Sequence, residues 1–235
     1  MKRETTKPKK STTKMNKIIT VFAAAMLSVC SLSAQNFVHY HWFDGENATV
    51  PAGTKNRVVF IGDSITEGWG VKGTPGFFDN NKMVERGISG EVTAQMVLRF
   101  RRDVIDLHPK TVVILCGCND IALNQGDYNE DYTFGNIVTM VELAKANKIR
   151  PILCSVLPAA AFPWRKEVTD APEKVASLNA RLLEYATQNK IQYVDYFSAM
   201  VAEDGRSLNY SYTNDGIHPT LPGYEVMEAI IKKAL

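Results

Sequence analysis

A serine lies where a buried strand is predicted to end and a helix to begin. Ser64 belongs to Gly-Asp-Ser-Ile-Thr-Glu-Gly at residues 62–68, directly after the continuous apolar run of residues 57–61. Gly62 permits a tight backbone turn, and the N-terminus of the following helix favours negative charge. Ser64 could therefore be a nucleophile beside a stabilised oxyanion, or Asp63 or Ser64 could simply cap the helix.

A nucleophilic serine needs a base, and the chain contains four histidines. His108 precedes a proline between a predicted helix and strand, which favours a surface role. His39 and His41 lie before the first strand, where a metal pair is a weaker alternative because no third ligand is evident. Asp215-Gly-Ile-His218 places a carboxylate three residues before an imidazole, in a turn leading to the last helix. Asp215 could hold one ring nitrogen and leave the other to accept the serine proton.

Apolar patterning predicts the elements that would position these residues. Short β-branched runs alternate with longer amphipathic stretches, and this order predicts a parallel sheet with helices on both faces. Functional side chains are then expected at the carboxyl ends of the strands. The predicted strands are 57–61, 82–86, 111–116, 150–157 and 191–194, and the longer helices are 93–107, 132–147, 172–189 and 224–235.

The first 34 residues have the organisation of a signal peptide. A basic stretch ends at Lys17, an apolar segment too short to span a bilayer follows, and small residues lead to an expected cleavage site after Ala34. Met15 is an alternative translation start. Cys30 offers lipid anchoring as a less favoured alternative, because Val29 is not the small residue that usually precedes a lipidated cysteine. We therefore expect an exported protein, periplasmic or secreted.

The rest of the chain is predicted to form an N-terminal arm, residues 35–55, and one domain, residues 56–235. The leader holds seven basic residues and one acidic residue, so residues 35–235 carry 20 basic and 24 acidic groups. The net charge of +2 thus comes from the leader, which removes the compositional support for nucleic-acid binding. No other segment has the roughly 18 apolar residues of a membrane span, so no stable membrane insertion is expected after cleavage. The sequence does not indicate an oligomeric state.

The cysteine pattern argues against a disulfide framework and a zinc site, and the serine context excludes a common hydrolase motif. Of the four cysteines, three remain after the expected cleavage: Cys116, Cys118 and Cys154. Their odd number and irregular spacing favour small buried side chains over a disulfide framework or a zinc site. The Gly-x-Ser-x-Gly elbow of α/β-hydrolases is absent, because Thr66 stands two residues after Ser64.

Three aromatic residues are candidates for substrate contact. The glycine-rich segment 68–73 lacks the Gly-Lys-Ser/Thr ending of a phosphate loop, and we interpret it as a mobile cleft wall with Trp69 as a substrate contact or, alternatively, a core residue. Phe162 and Trp164 lie in the longest predicted loop, after the fourth strand. Exposed aromatic side chains in such a loop suggest substrate or lid contact.

Four segments together resemble the sequence blocks of the SGNH hydrolases, also called GDSL esterases. They are VVFIGDSITEGWG at 58–70, ERGISGEVT at 85–93, VVILCGCNDIA at 112–122 and NDGIHPTLPGY at 214–224. The blocks occur in the order of the family across about 165 residues. Two departures are small: isoleucine replaces the leucine of the family name after Ser64, and Cys118 stands where many relatives carry a small polar residue.

The resemblance implies a fold and a set of site residues. The expected fold is a three-layer α/β/α sandwich with a flavodoxin-like parallel sheet of about five strands. Ser64 would be the nucleophile and Asp215 with His218 the acid–base pair. The oxyanion would be held by the backbone N–H groups of Ser64 and Gly90 and by the side-chain amide of Asn119.

The resemblance also implies a serine esterase that forms an acyl-enzyme and needs neither a metal nor an organic cofactor. The expected partner is a small-molecule or glycan ester. Among the family's substrates, a compact exported chain favours short-acyl, chiefly acetyl, esters of carbohydrate or phospholipid type. The alternatives are a lysophospholipase or thioesterase of the same family, and a non-catalytic carbohydrate-binding module.

Overall fold

A computed structural model describes residues 38–78 and 82–235 of the chain. The chain divides into two units, residues 1–39 and 40–235, and the architecture given below is that of the second unit. The predicted signal peptide, the alternative start at Met15 and the candidate lipidation site Cys30 lie outside the described residues. Within the described ranges, every helix is too short or too polar to cross a bilayer.

The centre of the fold is a five-stranded sheet in which every strand pair is parallel, with the strand order β2-β1-β3-β4-β5. At the carboxyl edge, Gly62 of β1 lies opposite Gly87 of β2 and Leu115 of β3. This sheet confirms the predicted α/β class and strand number. The strands are β1 (Val58–Gly62), β2 (Met83–Gly87), β3 (Thr111–Leu115), β4 (Arg150–Cys154) and β5 (Gln192–Val194).

Helices cover both faces of the sheet and make the three layers. Side chains of α3, α5 and α6 belong to the apolar core on one face, and those of α2, α7 and α8 to the core on the other. The helices are α1 (Asp44–Thr49), α2 (Ser64–Lys72), α3 (Thr93–Asp103), α4 (Cys118–Ile121), α5 (Glu130–Ala146), α6 (Ala171–Gln188), α7 (Tyr196–Met200) and α8 (Leu221–Ile231), with a 3₁₀ turn at Ile105–Leu107.

The continuous apolar runs of the strands result from burial on two faces. Val59 and Ile61 of β1 join the core that contains α3, while Val58 and Phe60 join the opposite core. Successive side chains of a strand point to opposite faces, so a strand covered on both sides needs an apolar residue at every position.

Residues 40–55 belong to the segment 35–55 that the sequence predicts as an arm. They contain α1, which contacts β2 and α3. Asn47 donates to Asp103 Oδ1 at 3.0 Å and accepts from Arg86 Nε at 2.9 Å. The last helix begins three residues earlier than predicted, at Leu221, because Pro222 occupies the first turn, where a missing N–H costs no hydrogen bond.

Arg99 of α3 is fully buried and joins several elements at the carboxyl edge of the sheet. Its Nε donates to Glu91 Oε2 at 2.6 Å and its Nη1 to Asp103 Oδ2 at 3.1 Å. Its Nη2 donates to the carbonyl oxygens of Gly62 and Arg86, at 3.1 and 3.0 Å. One guanidinium therefore holds the ends of β1 and β2 and neutralises two buried carboxylates.

Replacing this guanidinium should be strongly destabilising. We expect Arg99→Leu to lower the free energy of unfolding by about 4 kcal/mol, because it leaves the carboxylates of Glu91 and Asp103 buried without their cation. Urea denaturation measures the loss. The matched control is Arg101→Leu, whose side chain is 66% exposed and lies 3.9 Å from Asp106; a loss below about 1 kcal/mol is expected there. Equal losses in the two variants would contradict the assignment.

Another carboxyl group, that of Glu85 on β2, is partly buried against Gly70 of α2 and accepts the backbone N–H of Gly87. Burial raises the pKa of Glu85 to about 7, although the Gly87 N–H and the nearby Arg86 act in the opposite direction. The folded protein thus retains a proton on this group to a higher pH than the unfolded chain does.

This difference in proton binding gives a pH-dependent contribution to stability. Because the pKa is raised on folding, from a reference of 4.5 to about 7, the contribution of Glu85 to the unfolding free energy falls as pH rises through that window. We expect Glu85→Gln to match the wild type at pH 4 and to be more stable at pH 8, by about 2 kcal/mol. Denaturation curves at both pH values test this, with the exposed Glu142→Gln as control. A difference that does not change with pH would refute it.

Candidate active site

Ser64 is the first residue of α2, immediately beyond the end of β1. Asp63 caps the helix, accepting the Ile65 N–H on Oδ1 at 2.9 Å. The preceding Gly62 is required by close packing, because a Cβ there would lie 2.6 Å from the carbonyl oxygen of Leu115. Ser64 itself therefore remains free of the capping role, and its backbone N–H, in the first turn, has no intrahelical acceptor.

Ser64, His218 and Asp215 form a hydrogen-bonded series. Ser64 Oγ lies 2.9 Å from His218 Nε2, and His218 Nδ1 lies 2.7 Å from Asp215 Oδ2. An ionised carboxylate only accepts, so the ring proton resides on Nδ1 and Nε2 is left to accept the serine proton. The side chains of His218 and Asp215 are 28% and 46% exposed, so the series opens to the surface.

The turn at residues 213–218 fixes the geometry of the acid–base pair. Asp215 Oδ1 accepts the backbone N–H groups of Ile217 and His218 at 2.9 and 2.8 Å. Thr213 Oγ1 donates to the His218 carbonyl at 2.8 Å and accepts the Gly216 N–H at 3.0 Å. The carboxylate and the imidazole are thereby held in one compact backbone unit.

The pKa values of two carboxyl groups near the serine are shifted in opposite directions. Burial alone would raise the pKa of Asp215, but hydrogen bonds from the His218 N–H, the His218 ring and the Ile217 N–H outweigh it and lower the pKa to about 2. Asp63 is fully enclosed, and burial raises its pKa to about 6 despite the hydrogen bond from Ile65. Asp215 is thus ionised at neutral pH and suited to stabilise a positively charged imidazole.

Gly90 lies in the turn between β2 and α3 with φ +80°, a left-handed conformation that favours glycine. The residue before it is tied to the serine helix: Ser89 donates both its backbone N–H, at 3.0 Å, and its hydroxyl to Glu67 Oε2. Glu67 lies one turn after Ser64 on α2. The turn that carries Gly90 is therefore held directly by the helix that carries Ser64.

Asn119 is buried in the short helix α4, just beyond β3. Its Nδ2 donates to the Glu91 carbonyl at 3.0 Å, and its Oδ1 accepts from Asn124 Nδ2 at 2.8 Å. The next residue, Asp120, accepts the Thr93 N–H at 3.0 Å and the Thr93 hydroxyl at 2.6 Å. Within the described ranges the Asn119 amide makes one donation, so one of its two N–H bonds is available to a ligand.

The predicted substrate contact at Trp69 is wrong. Trp69 is 2% exposed, packs edge-to-face on Phe60 with ring centroids 5.5 Å apart, and donates its indole N–H to Glu228 at 3.2 Å. The segment predicted as a mobile cleft wall is mostly the end of α2, whose inner face points to the sheet. Trp69 belongs to the core because its large apolar ring and its polar N–H are both satisfied there.

The two aromatic residues of the loop after β4 differ in exposure. Phe162 is 1% exposed, so its predicted exposure is wrong; its ring packs against Trp164, with centroids 5.6 Å apart. Trp164 is 43% exposed and stacks on the His218 ring at 6.2 Å and 27°. Its Nε1 donates to Asn124 Oδ1 at 3.0 Å. Trp164 therefore lies at the site, and the buried Phe162 ring packs against it.

Two open cavities share Tyr210, and one of them reaches the acid–base pair. The first, of about 400 Å³, reaches Asp215, and the second, of about 390 Å³, lies along residues 202–211. Tyr210 lines both and is 76% exposed. The residues that line the first cavity include Ala160, Phe162, Pro163, Lys166, Tyr210 and Asp215.

The three cysteines of the domain are free and buried, as predicted. Burial raises the pKa of Cys116, Cys118 and Cys154, which disfavours the reactive thiolate form. Of the remaining histidines, His41 contacts Asp44 at 2.7 Å on the surface. Residues 38–78 and 82–235 contain no group of three His, Cys, Asp or Glu side chains arranged to hold a metal ion.

The structure brings together Ser64, His218 and Asp215, and adds residues that the sequence interpretation did not single out. Thr213 could have been noticed, because a threonine two residues before an aspartate often closes such a turn. Glu67 and Asn124 gave no signal, since their contacts with Ser89 and with Trp164 join parts of the chain that are distant in sequence.

Comparison with known proteins shows the family. The sequence profile of the GDSL-like lipase/acylhydrolase family matches residues 60–226. The crystal structure of a GDSL-like lipase from Bacteroides thetaiotaomicron is 55% identical, covers 85% of this chain and 98% of its own, and superposes with a TM-score of 0.81. An acetylxylan esterase from Geobacillus stearothermophilus shares the fold at 18% identity and a TM-score of 0.55, over 77% of this chain and 94% of its own.

A lipoprotein from Bacillus subtilis is 33% identical, over 46% of this chain and 53% of its own length. Among curated relatives, the chain spans about half of this lipoprotein and about a third of an N-acylneuraminate cytidylyltransferase from Streptococcus agalactiae. The family profile covers more than half of the chain, and the Bacteroides structure is matched over almost its whole length. The chain belongs to the GDSL-like lipase/acylhydrolase family of ester-hydrolysing enzymes.

Proposed function

We propose that the chain is an exported serine esterase that hydrolyses short-acyl, chiefly acetyl, esters of carbohydrates through an acyl-enzyme on Ser64. The observation that carries the proposal is the series Ser64–His218–Asp215, with distances of 2.9 and 2.7 Å, at the carboxyl edge of the sheet. In this arrangement a base contacts the hydroxyl and a carboxylate orients the base.

In the first half-reaction, Ser64 Oγ attacks the ester carbonyl carbon while His218 Nε2 takes the hydroxyl proton. Asp215 stabilises the protonated ring through Nδ1. The tetrahedral intermediate then collapses, the carbon–oxygen bond to the alcohol breaks, and His218 returns its proton to the departing alcohol oxygen. The products are a free alcohol and an acyl group bound to Ser64.

In the second half-reaction, water replaces the alcohol. His218 Nε2 takes a proton from the water as its oxygen attacks the acyl carbon, and the same proton passes to Ser64 Oγ when the acyl–serine bond breaks. The carboxylic acid leaves, and the serine hydroxyl and neutral imidazole are restored. Every proton in this sequence moves between groups of this chain, the substrate and water.

The negative charge that develops on the carbonyl oxygen needs donors aimed at one point. We assign the Ser64 N–H at the start of α2, the Gly90 N–H and the remaining Asn119 amide N–H to this role. Glu67 supports Gly90 through Ser89, and Glu91 supports Asn119, so two of the donors are held before substrate arrives. Donors fixed in advance stabilise the transition state more than mobile ones do.

Substitution of the nucleophile and of one donor tests the mechanism. Measured on p-nitrophenyl acetate, Ser64→Ala should lower kcat at least about 10⁴-fold, and Asn119→Ala about 10²- to 10³-fold. Ser177→Ala, an exposed serine on α6, is the matched control and should be unaffected. Full turnover by Ser64→Ala would refute the serine mechanism and revive the non-catalytic carbohydrate-binding alternative.

The cavity at Asp215 and the adjoining one along residues 202–211 are both open to solvent. The wall of the first is mostly apolar, with Ala160, Phe162 and Pro163 beside the charged Lys166, and Asp204 lines the second. Apolar surface with a few polar groups suits the apolar face and the hydroxyls of a sugar, which supports a carbohydrate alcohol group. Tyr210, shared by both, offers an exposed ring against which a sugar face can pack. One protein of the same fold is an acetylxylan esterase, which agrees with this substrate class.

The role of Tyr210 can be separated from catalysis. For Tyr210→Ala we expect kcat/KM on an acetylated xylo-oligosaccharide to fall about fivefold, because a packed ring face contributes roughly 1 kcal/mol, while p-nitrophenyl acetate turnover is unchanged. Tyr132→Ala is the control, since that tyrosine is 75% exposed on α5. Preference for p-nitrophenyl palmitate over acetate would instead support the lysophospholipase alternative.

Export is the remaining part of the proposal. It rests on the predicted signal peptide, and the similarity to a bacterial lipoprotein agrees with it. The expected N-terminus of the mature protein is Gln35. That similarity also favours one specific alternative, in which the chain is retained at the membrane by a lipid on Cys30.

A further inference from the structure

We propose that Asn124 and Trp164 are positioning residues that fix the orientation of the Asn119 side-chain amide. In that orientation Asn119 presents an N–H, rather than its oxygen, to the reacting carbonyl. The inference rests on the proposed function, because it concerns a donor of that mechanism. It identifies two residues outside the serine, histidine and aspartate series on which the rate should depend.

The argument begins at Trp164, whose indole nitrogen can donate a hydrogen bond but cannot accept one. It donates to Asn124 Oδ1 at 3.0 Å. A side-chain amide has an oxygen end and a nitrogen end of nearly the same shape, so packing alone does not select between its two orientations. The indole selects one, with the Asn124 oxygen towards Trp164.

The orientation of Asn124 in turn determines which end of the Asn119 amide it contacts. With its oxygen towards Trp164, Asn124 directs Nδ2 to Asn119 Oδ1 at 2.8 Å, with the Gly90 carbonyl at 3.5 Å. The Asn119 oxygen is therefore occupied by the Asn124 donor. Its Nδ2 donates one hydrogen to the Glu91 carbonyl at 3.0 Å, and the other hydrogen is left for the oxyanion.

The reversed orientation would be harmful because Asn119 is 4% exposed, with little water to compensate. A carbonyl dipole facing the developing oxyanion would repel it, and the Glu91 carbonyl would face an oxygen. Holding the amide in one orientation before reaction is therefore part of the preorganisation of the site.

Trp164 also connects this amide pair to the base. The same ring that donates to Asn124 stacks on His218 at 6.2 Å. Trp164 comes from the loop after β4, Asn124 from the segment after α4, and His218 from the turn before α8. Substitution of Trp164 by phenylalanine keeps an aromatic face for His218 but removes the N–H donor, together with the five-membered part of the indole.

The test uses the near-isosteric Asn124→Asp and the aromatic replacement Trp164→Phe, both assayed with p-nitrophenyl acetate. Asn124→Asp keeps an acceptor for Trp164 but puts a carboxylate oxygen opposite Asn119 Oδ1, so kcat should fall about 100-fold with KM within about twofold. Trp164→Phe should lower kcat about tenfold, since it removes one hydrogen bond. Phenylboronic acid, whose tetrahedral adduct with Ser64 imitates the intermediate, should bind more weakly to both by similar factors.

The matched control adds the same charge nearby. Asn129→Asp changes the cap of α5, where Asn129 Oδ1 accepts the Tyr132 N–H at 3.0 Å and aspartate caps equally well. Its kcat should equal that of the wild type. Thermal midpoints and circular dichroism of all variants establish that each is folded, and Trp164→Phe still tests the inference if Asn124→Asp fails to fold.

Coupling to Asn119 separates orientation from general structural support. In an Asn119→Ala background the amide to be oriented is gone, so adding Trp164→Phe should lower kcat less than twofold. An unchanged tenfold effect in that background would overturn the inference, as would wild-type kcat in both single variants. If Ser64→Ala and Asn119→Ala lose activity as expected while Asn124→Asp and Trp164→Phe keep the wild-type kcat, only the orientation proposal fails. Wild-type turnover by Ser64→Ala would overturn both proposals.

Discussion

A single buried guanidinium sets the frame on which the candidate site is built. Arg99 reaches from α3 to the last carbonyl of β1, to the β2 carbonyl of Arg86 and to the carboxylate of Glu91. Those contacts fix the points from which the chain departs towards Ser64 and towards Gly90. A charge removed from water in this way is tolerable only because its partners are hydrogen-bonded in good geometry.

The site therefore has two sides with different supports. On the β1–β2 side, Arg99 sets the strand ends, and Glu67 links the serine helix to the turn before Gly90. On the β3–β4 side, support comes from the side-chain amides of Asn119 on α4 and Asn124 beyond it, and from the indole of Trp164 in the loop after β4. The two sides meet at His218, which receives the serine hydrogen bond from one and the Trp164 ring from the other.

The parts of this structure that sequence reasoning predicted depend on local patterns. Strands buried on both faces leave continuous apolar runs, so the parallel sheet could be predicted, and the Asp-x-x-His turn is local, so Asp215 and His218 could be paired. For Trp69 the sequence left substrate contact and core packing open, because a tryptophan in a glycine-rich segment gives no sign of which face of a helix it occupies; the structure shows the core. Asn124 and Glu67 could not be found, because their roles depend on loops that only the tertiary fold brings together.

The compact turn at residues 213–218 separates reactivity from recognition. Thr213 and Asp215 secure the imidazole through bonds to the backbone of that same turn. The cavity walls near Tyr210 and Lys166 come instead from the neighbouring segments. Insertions or exchanges in those segments could therefore change which alcohol is accepted without disturbing proton transfer. Such a division allows one hydrolytic unit to diversify across many esters by varying the rim of its cleft alone.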